Sequence, residues 1–254
     1  MSWLGKMIGG TIGFAFGGPI GAVAGAAFGH QFVDKREDAY LSSKIRTQNR
    51  LTANEEAQLI FFTAVFSMLA KISKADGKIS EEEISTIKVF MEQDLNLDMN
   101  GQNTAINIFR QAIHSNESFE AFAFQFYSIF KSQRNLIDLM MDVLFRVSVA
   151  DGDISENERE MLLEAARIFN YSQVEFEKFE SRYIQHNDEY YAVLKCDKNS
   201  SNAEIKKQYR TLATEYHPDK IESKGLPEEF IKFANDKFKE IQTAYDKIKQ
   251  ERGI

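Results

Sequence analysis

Two stretches 75 residues apart carry nearly the same punctuation: Ala75-Asp76-Gly77-Lys78-Ile79-Ser80-Glu81-Glu82-Glu83 and Ala150-Asp151-Gly152-Asp153-Ile154-Ser155-Glu156-Asn157-Glu158. Each follows an apolar run, Leu59–Ser73 or Leu136–Val149, and each opens another with Ser-x-x-Glu. In that box the serine side chain accepts from the N3 amide while the glutamate reaches back to the cap amide, so it starts a helix. Glycine just before it ends one, because it enters the left-handed region without a Cβ penalty. A helix-stop-restart unit present twice predicts a pseudo-symmetric helical packing. Ile79 and Ile84 supply a hydrophobic staple in the first copy, which Arg159 removes from the second.

Further boxes at Thr52/Glu55 and Ser172/Glu175 mark two more helix starts, and Phe-rich segments near 103–114 and 118–131 fill the interval, giving about seven helices. With 3 prolines against 21 phenylalanines and 43% hydrophobic residues, the chain reads as all-α with a sizeable core. Phe61, Phe62, Phe66, Phe90, Phe122, Phe126, Phe130 and Phe145 are its expected members. The net charge of −7 falls entirely in residues 35–187, with 17 basic against 24 acidic side chains, which argues against nucleic acid as a partner there. The single cysteine, Cys196, excludes an internal disulfide.

The Asp-Gly-x-Ile-x-x-x-Glu spacing resembles the second half of a calcium-binding EF-hand loop. The first half fails: aligning Asp76 and Asp151 with the fifth loop position puts Ile72 and Lys74, or Val147 and Val149, where carboxylates are needed. Calcium binding should therefore be weak or absent. The leading reading is that Asp76 and Asp151 only bond loop amides, the alternative being a divalent cation held by Asp76, Glu83, Asp151 and Glu158. The duplicated arrangement over roughly 50–185 resembles the TerB domain, named for tellurite resistance. That resemblance implies a helical fold and an acidic surface with a metal-binding role.

Toward the C-terminus, Asp188–Leu194 reads as a short helix, followed by a break at Asn199–Asn202. A second helix from Ala203 to Tyr216 places Ile205, Tyr209, Leu212, Ala213 and Tyr216 on one face and leaves Lys206, Lys207 and Arg210 in water. A third opens at Pro227 and carries Phe230, Ala234, Phe238, Ile241, Tyr245 and Ile248 on one stripe. The matching stripes predict an antiparallel hairpin with His217-Pro218-Asp219 at its tip. No nucleophile or metal-ligand pattern accompanies the tripeptide, so catalysis is not expected of it. Tyr190-Tyr191, the basic helix, the tripeptide and Lys237–Tyr245 together resemble the J-domain. The family uses the tripeptide as a wedge against an Hsp70-type ATPase. By that resemblance His217, Pro218 and Asp219 carry stimulation, and Lys206, Lys207, Arg210 and Tyr209 dock and steer. Thr211 and Glu215 stand where the family is often basic, which predicts a more salt-sensitive encounter.

The first 34 residues differ from the rest. Met7 to Phe28 holds no charge, and at about 1.5 Å per residue these 22 residues would span roughly 33 Å, one hydrocarbon core. Gly5, Gly9, Gly13, Gly17, Gly21, Gly25 and Gly29 recur every fourth residue, a stripe that lets two helices approach closely. Gly17-Gly18-Pro19 should bend or break the helix. A spanning helix leads, with an interfacial glycine zipper and a cleaved signal peptide as alternatives. The basic cluster Lys35, Arg36, Lys44, Arg46 and Arg50 would hold the C-terminal side of the segment in the cytoplasm.

Taken whole, the chain resembles the DjlA-type membrane-anchored co-chaperones. The expected architecture is all-α: a glycine-zipper membrane helix (1–34), a seven-helix TerB-like bundle (35–185) and a J-domain hairpin (188–254). The resemblance implies a single-pass protein of the bacterial inner membrane with its C-terminal domains cytoplasmic. It also implies an Hsp70 (DnaK-type) partner, self-association through the N-terminal segment, no cofactor, no nucleic-acid partner and no enzymatic activity. The competing expectation is a membrane-associated stress or metal-responsive module with an auxiliary J-domain.

Overall fold

A computed structural model describes residues 17–33, 52–75, 77, 81–149, 154–184, 189–223 and 225–253 of the 254. Its centre is the helix spanning Ala53–Ile72 (here α2; α1, Gly18–Val33, precedes it). The expected box starts α2: Thr52 accepts from the Glu55 amide while Glu55 returns the bond. Every residue from Leu59 to Ala70 is buried. A helix apolar all round must be wrapped on all sides, and this one is. Around it lie α3 (Glu81–Val89), α4 (Met99–His114), α5 (Phe119–Phe130), α6 (Arg134–Ser148), α7 (Glu156–Ile168) and α8 (Gln173–Ile184). Seven helices from α2 to α8 match the expected number among the described residues.

Phe61 anchors the packing. Its ring meets Phe126, Phe130 and Phe230 edge-on at centroid distances of 5.7, 5.9 and 5.0 Å. All eight phenylalanines expected in the core are buried, and truncating one such ring costs about 3–5 kcal/mol. The Ser155/Glu158 box forms as read, and Ser172 and Glu175 exchange the same pair of bonds. The first-copy staple fares less well, since Ile84 is 41% exposed; its partner Ile79, with the Ser80 cap, lies outside the described residues.

The C-terminal hairpin forms from α9 (Glu189–Val193), α10 (Asn202–Glu215), α11 (Pro218–Glu222) and α12 (Glu228–Arg252). Ile205, Leu212 and Tyr216 on α10 and its end face Phe230, Ala234, Ile241 and Ile248 of α12 as the two stripes required. Tyr209 and Tyr245 stack at 4.0 Å between ring centroids. The tip is more ordered than a loop, because Pro218 starts the one-turn α11.

The hairpin is not a separate unit. Phe230 reaches Phe61 and Phe62, Phe233 meets Phe90 edge-on at 6.0 Å, and Gln58 Nε2 donates to the Leu226 carbonyl at 3.1 Å. A π-helical turn at Phe90–Asp94 widens the end of α3. The Lys232 ammonium donates to the Gln93 and Asp94 carbonyls at 3.2 and 3.4 Å there. One continuous apolar core therefore runs through both domains.

The described part of the N-terminal segment packs on the bundle. The break foreseen at Gly17-Gly18-Pro19 is where α1 begins, and α1 does not stand apart but lies across α2, α4 and α5. Ile20, Val23, Ala24, Ala27 and Phe28 are buried in that contact. Among the described residues no helix is long and apolar enough to cross a membrane. Gly21 is buried and Gly25 half-buried, so this part of the glycine stripe serves close packing within the chain, while Gly17 is exposed. Gly29 lies within α1, and Gly5, Gly9 and Gly13 fall outside the described residues.

Candidate functional site

The tripeptide is shaped by the elements that flank it. α10 begins with a Ser201/Glu204 capping box, runs its apolar face into α12, and ends at Tyr216, whose amide donates to the Leu212 carbonyl at 2.9 Å. His217 then occupies the N-cap position of α11 with extended backbone, and its carbonyl accepts from the Lys220 and Ile221 amides at 2.9 and 3.0 Å. Pro218 sits at the first helical position, where the amide it lacks would have had no partner. Asp219 points outward, its side chain 92% exposed, with Oδ2 3.8 Å from His217 Nδ1. The imidazole rests edge-on against Phe238 of α12 at 5.8 Å. The loop is therefore braced from behind and free in front.

Beside it runs an open groove of about 570 Å³ lined by Tyr209, Arg210, Ala213, Thr214, His217, Asp219, Lys220 and Phe238. Lys206, Lys207 and Arg210 are all exposed, and Tyr209 is half-buried through its stack on Tyr245. The fold thus brings Tyr209, Arg210, His217 and Asp219 to one groove, with two further cations on the same helix. Such a surface can dock an acidic, partly apolar partner segment. Glu215 and Thr211 border a second, smaller cleft shared with Arg134 and Lys178 of the middle domain and with Lys195. The two positions that departed from the J-domain pattern therefore face the seam with the middle domain. Burial, and then Asp138, raise the pKa of Glu215.

Sequence reasoning missed a pair of aspartates on α6. Asp138 and Asp142 are 2% and 0% exposed, one turn apart on a helix otherwise packed with Leu, Met, Val and Phe. Asp138 pairs with Arg134 at 3.2 Å, with Lys195 at 2.8 Å, and accepts from the Tyr171 hydroxyl. Asp142 accepts from Arg182 Nη1 at 2.7 Å, the Tyr183 hydroxyl at 2.7 Å and the Tyr216 hydroxyl at 3.0 Å, with Lys237 Nζ 3.9 Å away. Burial alone would push the Asp142 carboxyl up. The charges of Lys237 and Arg182, with Tyr183 and Lys195, outweigh it and hold the group ionised below its ordinary value. Tyr183 and Tyr216 are pushed well above theirs, first by burial and then by Asp142. Two acidic residues at i, i+4 on an apolar helix face were visible in the sequence and could have marked a buried contact.

The expected metal ligands fall only partly within the described residues. Asp76 and Asp151 lie outside the described residues, and the Glu158 carboxylate accepts from the Ser155 amide at 3.0 Å in its capping box. Among the described residues, Glu83 included, no group of three metal-ligating side chains gathers.

Three family models match in chain order. Residues 1–49 match the transmembrane domain of the co-chaperone DjlA, residues 62–181 the tellurite resistance protein TerB, and residues 189–252 the DnaJ domain. The co-chaperone protein DjlA of Coxiella burnetii is 30% identical over 100% of both chains. The chain belongs to the DjlA family. DjlA of Photobacterium profundum is 30% identical over 98% of this chain and 99% of its own, and DjlA of Escherichia coli K12 is 28% identical over 100% of both. No solved structure matches. The exposed tripeptide is thus the tip of a DnaJ domain, fused in this DjlA-family chain to a TerB-type bundle.

Proposed function

We propose that the protein is a co-chaperone, tethered to the membrane by its N-terminal segment, that docks an Hsp70-type chaperone through its J-domain and stimulates that partner's ATPase. The observation that carries this reading is the presentation of His217, Pro218 and Asp219. They are rigidly backed by α11 and Phe238, open to solvent in front, and share a groove with Arg210 and Tyr209. Lys206 and Lys207 extend the positive face and would steer an acidic partner at low ionic strength. In this reading the protein supplies no catalytic group; the bond cleavage belongs to the partner.

The tether rests on the match of residues 1–49 to the DjlA transmembrane domain and on the uncharged run from Met7 to Phe28. The basic cluster from Lys35 to Arg50 favours a cytoplasmic position for the two folded domains. The test pairs two measurements on the full chain. Stimulation of a bacterial Hsp70 ATPase should be lost in His217→Gln, with circular dichroism and melting unchanged, and the protein should resist extraction of membranes by carbonate. Equal stimulation by wild type and His217→Gln refutes the docking assignment, and release into the carbonate wash refutes the tether.

A further inference from the structure

We propose that Asp142, a residue of the TerB-like bundle, is a positioning residue for the His-Pro-Asp loop of the J-domain. The inference rests on the co-chaperone reading and assigns part of that activity to the middle domain.

Both arms of the hairpin reach the same carboxylate. Tyr216, which donates to Asp142 Oδ2 at 3.0 Å, is the residue immediately before His217. Lys237, 3.9 Å from Oδ1 and donating to the Tyr183 hydroxyl at 3.2 Å, is the residue immediately before Phe238, the ring that backs the His217 imidazole. Asp142 therefore fixes the chain entering the loop and the helix supporting it. Its own place is fixed from behind by Arg182 and Tyr183 of α8, so the reference frame is the bundle, not the hairpin. One turn earlier Asp138 holds Lys195, a non-glycine residue in the left-handed region at φ 55°, and so ties down the start of the J-domain as well. A lysine held in that region is strained, and such strain persists where the surroundings over-determine it.

A surface-exposed loop of a free hairpin would sample several rotamers of His217 and several tilts of α11. Bracing from a fully buried carboxylate narrows that range before the partner arrives, which is how a binding group gains effectiveness without new contacts. The positioning acts through Tyr216 and Lys237; Asp142 itself touches nothing outside the protein.

The experiment uses full-length Tyr216→Phe, which removes one hydroxyl, together with Asp142→Asn and their double variant. Two readouts are taken: the imidazole resonances of His217 in histidine-labelled protein, and the Hsp70 ATPase rate as a function of co-chaperone concentration. Gln58→Ala, which cuts the seam contact to the Leu226 carbonyl and leaves Asp142, Tyr216 and Lys237 in place, is the control for mere loosening. Tyr216→Phe should shift or broaden the His217 signals and raise the half-maximal co-chaperone concentration roughly fivefold, with the maximal stimulated rate little changed. The double variant should be no worse than the more affected single one, and Gln58→Ala should match wild type in both readouts. Unchanged His217 signals in Tyr216→Phe overturn the proposal, as does an effect of equal size in Gln58→Ala. If wild type fails to stimulate any Hsp70, the co-chaperone reading fails, while the resonance measurement still decides whether Asp142 positions the loop.

Discussion

The central bundle offers two seats, and they are built on opposite principles. α1 rests on α2, α4 and α5 through small and aliphatic side chains, tied down by neutral amides. Gln125 donates to the Gly17 carbonyl at 2.6 Å and accepts from the Ile20 amide at 2.8 Å, and Asn107 donates to the Ala27 carbonyl. The J-domain hairpin rests on the other side through phenylalanines and a buried ionic cluster centred on Asp142. Lifting α1 away exposes apolar surface that a bilayer would accept, and leaves amides that water satisfies. Lifting the hairpin away strips Tyr216 and Lys237 from a carboxylate with no access to solvent. The two ends of the chain are thus attached by different means: neutral amides hold the end that the co-chaperone reading makes the tether, and a buried ionic cluster forms the mount of the J-domain.

The largest expected effect breaks the second seat alone. Asp142→Ala leaves the buried Arg182 guanidinium without its counter-ion, and removing one partner of a buried pair costs about 3–5 kcal/mol. Urea unfolding should show that loss as a lower midpoint. Asp142→Asn should cost less, because an amide oxygen still accepts from Arg182 or the tyrosines. Equal midpoints for wild type and Asp142→Ala would mean that the cluster does not hold the hairpin.

pH separates the seats next. Asp142 has a depressed folded pKa, so the unfolded chain takes up its proton first. The stability it contributes is present above the unfolded carboxylate value of about 4 and is lost as pH falls through the folded one. Tyr183 and Tyr216 have raised folded values, so their contribution is present below about pH 10 and is lost as pH rises through the folded values. The contribution of Asp142, Tyr183 and Tyr216 should therefore be flat from about pH 5 to 9 and fall at both extremes, while Glu215, raised by burial, works against the folded state as pH rises through its folded value; denaturant midpoints measured from acid to alkaline pH would reveal both. Among the described side chains the α1 seat has no titratable latch, and amide exchange on its first turns, corrected for its intrinsic pH dependence, should show no matching acid limb.

Much of this architecture was legible because its signals are local. Capping boxes at Thr52, Ser155 and Ser172 act over three residues, and the stripe Phe230/Ala234/Phe238/Ile241/Tyr245/Ile248 follows from one helical period. The tripeptide and the outward lysines were found for the same reason. The seam was not, because α12 carries a second buried stripe, Phe233/Lys237/Ala244, whose lysine reads as a solvated position until its partner is known. Asp138 and Asp142 were passed over within an apolar run. The seat of α1 was hidden by composition: a run of glycine, alanine and isoleucine satisfies a bilayer, a second helix or a groove of its own bundle equally well, and only the amides of Gln125 and Asn107, from distant helices, distinguish the last.

The smallest expected effect tests that seat. Gly18 holds φ at +77°, and a Cβ there would stand 2.8 Å from Gln125 Oε1. Gly18→Ala therefore both strains the backbone and pushes away the side chain that caps the start of α1. Gln125→Ala removes the cap and leaves the backbone alone. Each lost bond at this half-exposed site is worth about 1 kcal/mol, which is too little to unfold a domain and enough to free the first turn of a helix. Hydrogen exchange at the Ile20 amide should quicken by about fivefold in Gln125→Ala. Protection across α12 should be unchanged, since its seat is made by Phe61, Phe62, Phe90 and the Asp142 cluster. Exchange that accelerates in α1 and α12 together would show the two seats to be coupled through α2, and the tether and the mount would then be one mechanical unit.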